Sequence, residues 1–144
     1  MGKLRELVVS AAMEQELLRL GTSISQPKGS FLFHCGGPPR GLFLIRSGRV
    51  CLSMDGEVVA FEPRILGPGS VAGLPATVAG SPYSLTAEVI EDAELTFVAR
   101  EVMLQCLQEN QQLCFEVMDL LSGEISGARA AFKQSSVHRP RKAQ

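Results

Sequence analysis

The sequence lacks the long apolar run that a membrane-spanning helix requires. No stretch approaches the roughly 20 consecutive apolar residues of such a helix, and the first 20 residues carry too many charges for a secretory signal peptide. Glu6 occupies the position where an N-myristoylation signal after Gly2 needs Ser or Thr. We therefore expect a cytoplasmic protein with no membrane partner.

A strong net charge is also missing. The 144 residues include 14 Lys and Arg and 15 Asp and Glu, which gives a formal net charge of −1. A chain this close to neutrality has no long-range field that would attract nucleic acid or an anionic membrane. The last residues are locally basic, and we interpret residues 136–144 as a solvated polar tail. We expect no DNA binding by this segment alone.

Closely spaced metal ligands are absent, because the cysteines are scattered and histidine is scarce. The cysteines are Cys35, Cys51, Cys106 and Cys114. No two of them form the C-x-x-C pair that is typical of zinc and iron–sulfur sites. A chain of this length buries roughly 68–70% of its unfolded surface, so it does not need disulfides. We therefore expect free thiols, no metal and no cofactor.

The residue pattern predicts a mainly β structure between helical ends. Apolar residues at helical spacing predict an amphipathic helix over about residues 3–20, ending at Gly21. About eight short strands follow at intervals of 8–12 residues, which is typical of a β sandwich or roll. Two of them flank a tight RSGR turn, another turn lies at Asp55–Gly56, and SLTAEVI and AELTFVA are separate strands. After Ala99 the pattern predicts a short helix and then a longer one.

The longer predicted helix, residues 111–134, carries two apolar stripes. One has the 4-3-4-3-4 spacing of a coiled-coil seam. The other consists of Leu113, Val117 and Leu120. We interpret one stripe as packing on the β structure and the other as the contact of a homodimer, while a single broad intramolecular face remains an alternative. The predicted dimer contacts are Cys114, Met118, Leu121, Ile125, Ala128 and Phe132.

Four motifs occur in a characteristic order: GSFLFHCGG, LFLIRSGRVCL, LGPGSVAGL and TAEVIEDAELTFVAREVM. With these motifs, residues 21–135 resemble the cyclic-nucleotide-binding domain, specifically the effector half of the Crp/Fnr transcription regulators. The resemblance implies a double-stranded β-helix, that is, a jelly-roll-like β-roll, flanked by an N-terminal helix and a long C-terminal helix. It implies one domain over residues 1–135. DNA-binding members continue into a helix-turn-helix, so the chain is either a stand-alone sensor domain or part of a longer protein.

The resemblance also implies that GPGSVAGLPATVAGSPYSLTAEV, residues 67–89, is the phosphate-binding cassette. In ligand-binding members of the family, a Glu binds the ribose 2′-hydroxyl and an Arg neutralises the cyclic phosphate. Leu74 matches the Glu position and Leu85 the Arg position, and no residue from Gly67 to Ser84 is charged. We therefore expect weak or absent binding of cAMP and cGMP. The candidate ligand-binding residues are Gly73, Leu74, Pro75, Ala76, Thr77, Tyr83, Ser84, Leu85, Thr86, Ala87 and Arg129.

We predict a regulatory module that senses a small-molecule effector or dimerises, and that is not an enzyme. One alternative is a genuine cyclic-nucleotide-binding domain of a transcription regulator. Another is a cupin-like enzyme, but cupins bind metal through several histidines and a carboxylate, and the only histidines here are His34 and His138. Haem or iron–sulfur sensing, which occurs in some relatives, is a third; the cluster-binding relatives use closely spaced cysteines.

Overall fold

The computed structural model describes residues 8–54 and 62–122. Its helices and strands are, in chain order, α1 (Ala11–Leu20), β1 (Thr22–Gln26), β2 (Phe31–Phe33), β3 (Gly41–Ser53), β4 (Arg64–Leu66), β5 (Val71–Ala72), α2 (Leu74–Ala79), β6 (Thr86–Ala99) and α3 (Arg100–Glu109). Residues 111–122 are also helical and are called α4. The predicted class, mainly β with helices before and after the strands, is confirmed.

The two longest strands, β3 and β6, form the centre of the sheet. They pair antiparallel along their whole length, from Gly41 opposite Ala99 to Ser53 opposite Thr86. The strand order is β1-β6-β3-β4, while β2 also pairs with β6 and β5 with β3. Because β6 leads directly into α3, the end of the sheet positions the C-terminal helices.

The prediction of short strands at two places was wrong. The RSGR segment lies inside β3, where the register with β6 shifts between Ile45 and Val50, so the strand bulges and does not reverse. Gly48 has a φ of +86° there, and a Cβ at this position would lie 2.3 Å from the backbone oxygen of Asp92. The predicted strands SLTAEVI and AELTFVA are likewise joined in β6. The predicted turn at Asp55–Gly56 lies outside the described residues.

The first described helix is shorter than predicted at its N-terminal end. The N–H of Val9 donates a hydrogen bond to the carbonyl oxygen of Gly69, which holds the chain in extended form. Ser10 is the N-cap, and its hydroxyl accepts a hydrogen bond from the N–H of Met13 at 3.1 Å. A serine in this role favours a helix start at the next residue, so α1 begins at Ala11. Its end before Gly21 is as predicted.

Two apolar clusters form the core. The first joins α1, α3 and α4 to one side of the sheet, and the second fills the interior between the strands and the cassette. Leu113 and Val117 belong to the first cluster, with Leu120 packed against it, so this stripe of α4 faces the body. Within residues 8–54 and 62–122, none of the helices combines the length and the apolar character needed to cross a bilayer.

Candidate ligand-binding site

The cassette turns sharply at Gly73, immediately before α2. Gly73 is the N-cap of this helix, with a left-handed φ of +90° that favours glycine. A Cβ here would lie 3.1 Å from the carbonyl oxygen of Gly41 and 3.2 Å from the rings of Phe33 and Tyr83. The missing side chain therefore allows the cassette to pack directly on β3 and on two aromatic rings.

A small cavity lies beside this turn. Its volume is about 50 Å³, well below the roughly 300–1,000 Å³ of typical small-molecule sites. Six of the predicted candidate residues line it, together with four residues of β2, β3, β4 and β5 that the sequence did not single out. The six are Gly73, Pro75, Ala76, Tyr83, Ser84 and Leu85, and the other four are Phe33, Leu52, Arg64 and Val71.

The other candidate residues do not line this cavity. Leu74 is fully buried in the first core cluster. Thr77 is also buried, and its hydroxyl donates to the carbonyl oxygen of Gly73 at 2.7 Å. The hydroxyl of Thr86 accepts the N–H of Cys35 at 2.9 Å. Ala87 is fully buried in the second cluster. Arg129 lies outside the described residues.

Tyr83 fastens the loop over residues 34–40 to the cassette. Its hydroxyl donates to the carbonyl oxygen of Gly41 at 2.6 Å and accepts the N–H groups of Arg40 and Gly41, each at 3.1 Å. Its backbone N–H donates to Gly37, and its carbonyl accepts from Gly36. The ring stacks on Phe33 with centroids 3.9 Å apart. Because the hydroxyl already makes three hydrogen bonds to the backbone, the part of Tyr83 that can contact a ligand in the cavity is its ring.

Among the described residues that line the cavity, Arg64 is the only one with a side chain that is charged at neutral pH. It is half-buried, and it belongs to β4, just before the cassette begins. The cassette sequence does not predict this residue, because β4 comes close to the far end of the cassette only through its pairing with β3. The available signal was a charged residue on the strand that leads into the glycine-rich loop.

All four cysteines, namely Cys35, Cys51, Cys106 and Cys114, are free thiols. Cys35 is exposed, and its Sγ lies 3.4 Å from the carbonyl oxygen of Ser84. Burial raises the pKa of the Cys51 and Cys106 thiols above their ordinary value, which favours the unreactive protonated form. Within the described ranges, no three His, Cys, Asp or Glu side chains are grouped so that they could hold a metal ion.

Arg100 connects the cassette to the C-terminal helices. Its Nε donates a hydrogen bond to the carbonyl oxygen of Thr77 at 2.9 Å, near the end of α2. Gly80, with a φ of +74°, ends α2, and a Cβ there would lie 2.5 Å from the guanidinium of Arg100. The first residue of α3 is thus hydrogen-bonded to the helix of the cassette.

The outer face of α4 carries exposed apolar side chains. Met118 is 58% exposed and Phe115, which the predicted seam did not include, is 59% exposed. Cys114 is half-buried, whereas Leu121 packs against the first core cluster. Three predicted contacts, namely Ile125, Ala128 and Phe132, lie outside the described residues.

Comparison with known proteins agrees with this architecture. The family model of the cyclic nucleotide-binding domain matches residues 24–110. No curated protein shows significant sequence similarity to the chain. The structure is similar to the catabolite activator protein of Thermus thermophilus, with a TM-score of 0.74 and 22% identity over 88% of this chain. The match covers 60% of the Thermus chain, so the present chain spans less than two thirds of that protein.

Two further solved structures are similar over nearly their whole length. A transcriptional regulator of Thermotoga maritima matches with a TM-score of 0.68 and 16% identity over 85% of this chain and 97% of its own. A structure from work on a cyclic-GMP-dependent signalling pathway in bacterial phytopathogenesis matches with a TM-score of 0.75 and 19% identity, over 83% and 96%. These similarities confirm the predicted β-roll with its flanking helices.

Proposed function

Because the chain belongs to the cyclic nucleotide-binding domain family, we propose that it is a cytoplasmic regulatory module that binds cAMP and cGMP weakly or not at all. Its role is sensing another effector or dimerising, and it is not an enzyme. The observation that supports this proposal is Leu85, which stands where the family resemblance implies a phosphate-binding Arg and which lines a cavity of only about 50 Å³.

An apolar side chain at the position of Leu85 lowers the affinity for a cyclic phosphate. A hydrogen bond to a charged group stabilises by about 1.5–3 kcal/mol, and an Arg–phosphate pair makes two of them. Since each 1.4 kcal/mol changes affinity tenfold, the loss of such a pair lowers affinity by about 10³. Leu85 is half-buried, and its side chain has no hydrogen-bond donor to offer a phosphate oxygen.

Arg64 supports the alternative of a genuine cyclic-nucleotide-binding domain. It lines the same cavity as Leu85 and could place a positive charge against a cyclic phosphate from β4. The relationship to a structure from a cyclic-GMP-dependent pathway is consistent with this alternative. The two functions make opposite predictions for variants of Arg64 and Leu85.

Calorimetric titration of the 144-residue chain with cAMP and cGMP separates them. We expect a dissociation constant weaker than about 10 μM for both, which corresponds to about 7 kcal/mol of binding. Leu85→Arg should then strengthen binding by at least tenfold, while Leu85→Met, a matched apolar change, should not. Binding tighter than 10 μM that is lost in Arg64→Gln would reject the proposal in favour of the alternative.

We further propose that the module is a homodimer whose contact includes the outer face of α4. The support is the exposure of Met118 and Phe115 on the face of α4 opposite the buried Leu113 and Val117. Two apolar side chains with well over half of their surface exposed are a favourable contact for a second copy of the same helix. Through the bond between Arg100 and Thr77, such a contact would be coupled to the cassette.

A further inference from the structure

A second and larger cavity lies between the loop over residues 34–40, the start of β3 and the end of β6. Its volume is about 280 Å³, close to the lower limit of the roughly 300–1,000 Å³ of small-molecule sites. It is more than five times larger than the cassette cavity. This cavity contains no residue of α2, so its location differs from that of the cassette site.

Four of the nine residues that line the larger cavity are Phe or Tyr. Phe43 on β3 and Phe97 on β6 are opposite each other in the sheet, with ring centroids 5.0 Å apart and planes tilted by 47°. Phe33 lies next to Phe43, with a centroid distance of 6.1 Å, and stacks on Tyr83. The four rings therefore form a continuous series, Tyr83–Phe33–Phe43–Phe97, and such a series is an apolar surface suited to a flat aromatic group.

The rim of the cavity is cationic. Arg40 lines it and is exposed, and within the described residues neither a carboxylate nor any other hydrogen-bond acceptor contacts its guanidinium. The backbone of Arg40 is held on both sides, since its N–H donates to the Tyr83 hydroxyl and its carbonyl accepts the N–H of Arg100. None of the lining residues is acidic. A cationic side chain on an anchored backbone, beside aromatic rings, is suited to an anion with an apolar body.

We propose that this cavity binds a small aromatic monocarboxylate. The ring of the ligand contacts Phe43 and Phe97, and its carboxylate pairs with Arg40 at the rim. Benzoate and phenylacetate have this chemistry and fit the volume. Neither Leu85 of the cassette nor Arg64 of β4 lines this cavity, so variants of those two residues test the cassette without changing the groups proposed to bind the carboxylate.

The location of the site gives it a route to the cassette. The stacked pair of Phe33 and Tyr83 lines both cavities, so the two rings form a common wall. A ligand that displaces this pair in the larger cavity would change the packing around Gly73, whose nearest neighbours include both rings. Binding of a carboxylate is therefore expected to shift the amide signals of α2 even though the ligand does not touch that helix.

The test is an NMR and calorimetric titration of the 144-residue chain with benzoate and with benzamide, its uncharged analogue of the same shape. Benzoate should bind saturably, and benzamide at least about tenfold more weakly, since it cannot form the ion pair. Arg40→Gln should reduce benzoate affinity to the level of benzamide, and Arg40→Lys should retain part of it. Arg46→Gln, which removes another exposed arginine outside the cavity, should have no effect.

Four results would overturn the proposal. One is the absence of saturable benzoate binding up to high millimolar concentration. The second is equal affinity for benzoate and benzamide, and the third is unchanged benzoate affinity in Arg40→Gln. The fourth is a titration in which the amides of residues 34–40 do not shift while those of the cassette do. We expect the amide spectrum of Arg40→Gln to resemble that of the wild type, which would show that the variant is folded and that only binding is lost.

Discussion

The carboxylate of Glu116 on α4 accepts two hydrogen bonds from Ser10, one from its N–H at 3.0 Å and one from its hydroxyl at 2.8 Å. The same hydroxyl accepts the N–H of Met13 and caps α1. Ser10 therefore joins the first and the last described helices through one side chain. The sequence places these residues 106 positions apart, and only the packing of both helices on the sheet brings them together.

We predict that Ser10→Ala lowers the free energy of unfolding by about 1–2 kcal/mol, because it removes an N-cap and one bond to Glu116. Urea denaturation followed by circular dichroism measures this change. Ser23→Ala on β1 is the control, because this exposed serine caps no helix. Equal stability of Ser10→Ala and the wild type would show that the cap does not contribute.

Replacement of Leu74 by Glu should destabilise the protein and should not restore a nucleotide site. Leu74 is fully buried among apolar side chains, and an unpaired buried charge costs several kcal/mol. Thermal denaturation should show a large fall in the melting temperature. Ala79→Glu changes an exposed residue of the same helix and should have a small effect. A stable Leu74→Glu variant that gains cAMP affinity would contradict the buried position.

Tyr83→Phe should cost about 1–3 kcal/mol of stability although it keeps the ring that stacks on Phe33. The hydroxyl makes three hydrogen bonds to the backbone of Arg40 and Gly41, and its removal leaves buried backbone groups without partners. Hydrogen exchange should show faster exchange of the Gly41 amide in this variant. Ser84→Ala, at the exposed neighbouring position, should leave both quantities unchanged.

Met118→Glu should convert the proposed dimer into a folded monomer. The side chain is 58% exposed in the single chain, so a charge is tolerated there, but in a two-fold contact it would lie near its own copy. Light scattering should then report 15.5 kDa with an unchanged circular dichroism spectrum. Glu101→Lys, which changes an exposed residue of α3 outside the proposed contact, is the control. A wild type that is already monomeric at high micromolar concentration would contradict the proposed interface.

The fold class and the family could be predicted from the sequence because both depend on local patterns. Alternating residues and turn residues indicate strands, and the interval between the motifs identifies the β-roll. The end of α1 at Gly21 and the position of α3 also followed from neighbouring residues. The lengths of β3 and β6 could not be predicted from neighbouring residues. RSGR is a turn signal in isolation, but in the structure the pairing along both strands stabilises a bulge at this segment instead of a turn.

The sequence alone shows which charged residues the candidate site lacks, whereas the geometry of the site is decided by the tertiary structure. The lack of charged residues from Gly67 to Ser84 can be read directly from the sequence. Contacts between distant segments decide three other features. Leu74 is buried in the core, the Tyr83 hydroxyl bonds to the backbone of Gly41, and Arg64 lines the same cavity as Leu85. Side-chain direction and cavity volume result from how the sheet and the cassette pack, and a local pattern carries no information about residues that meet only after folding.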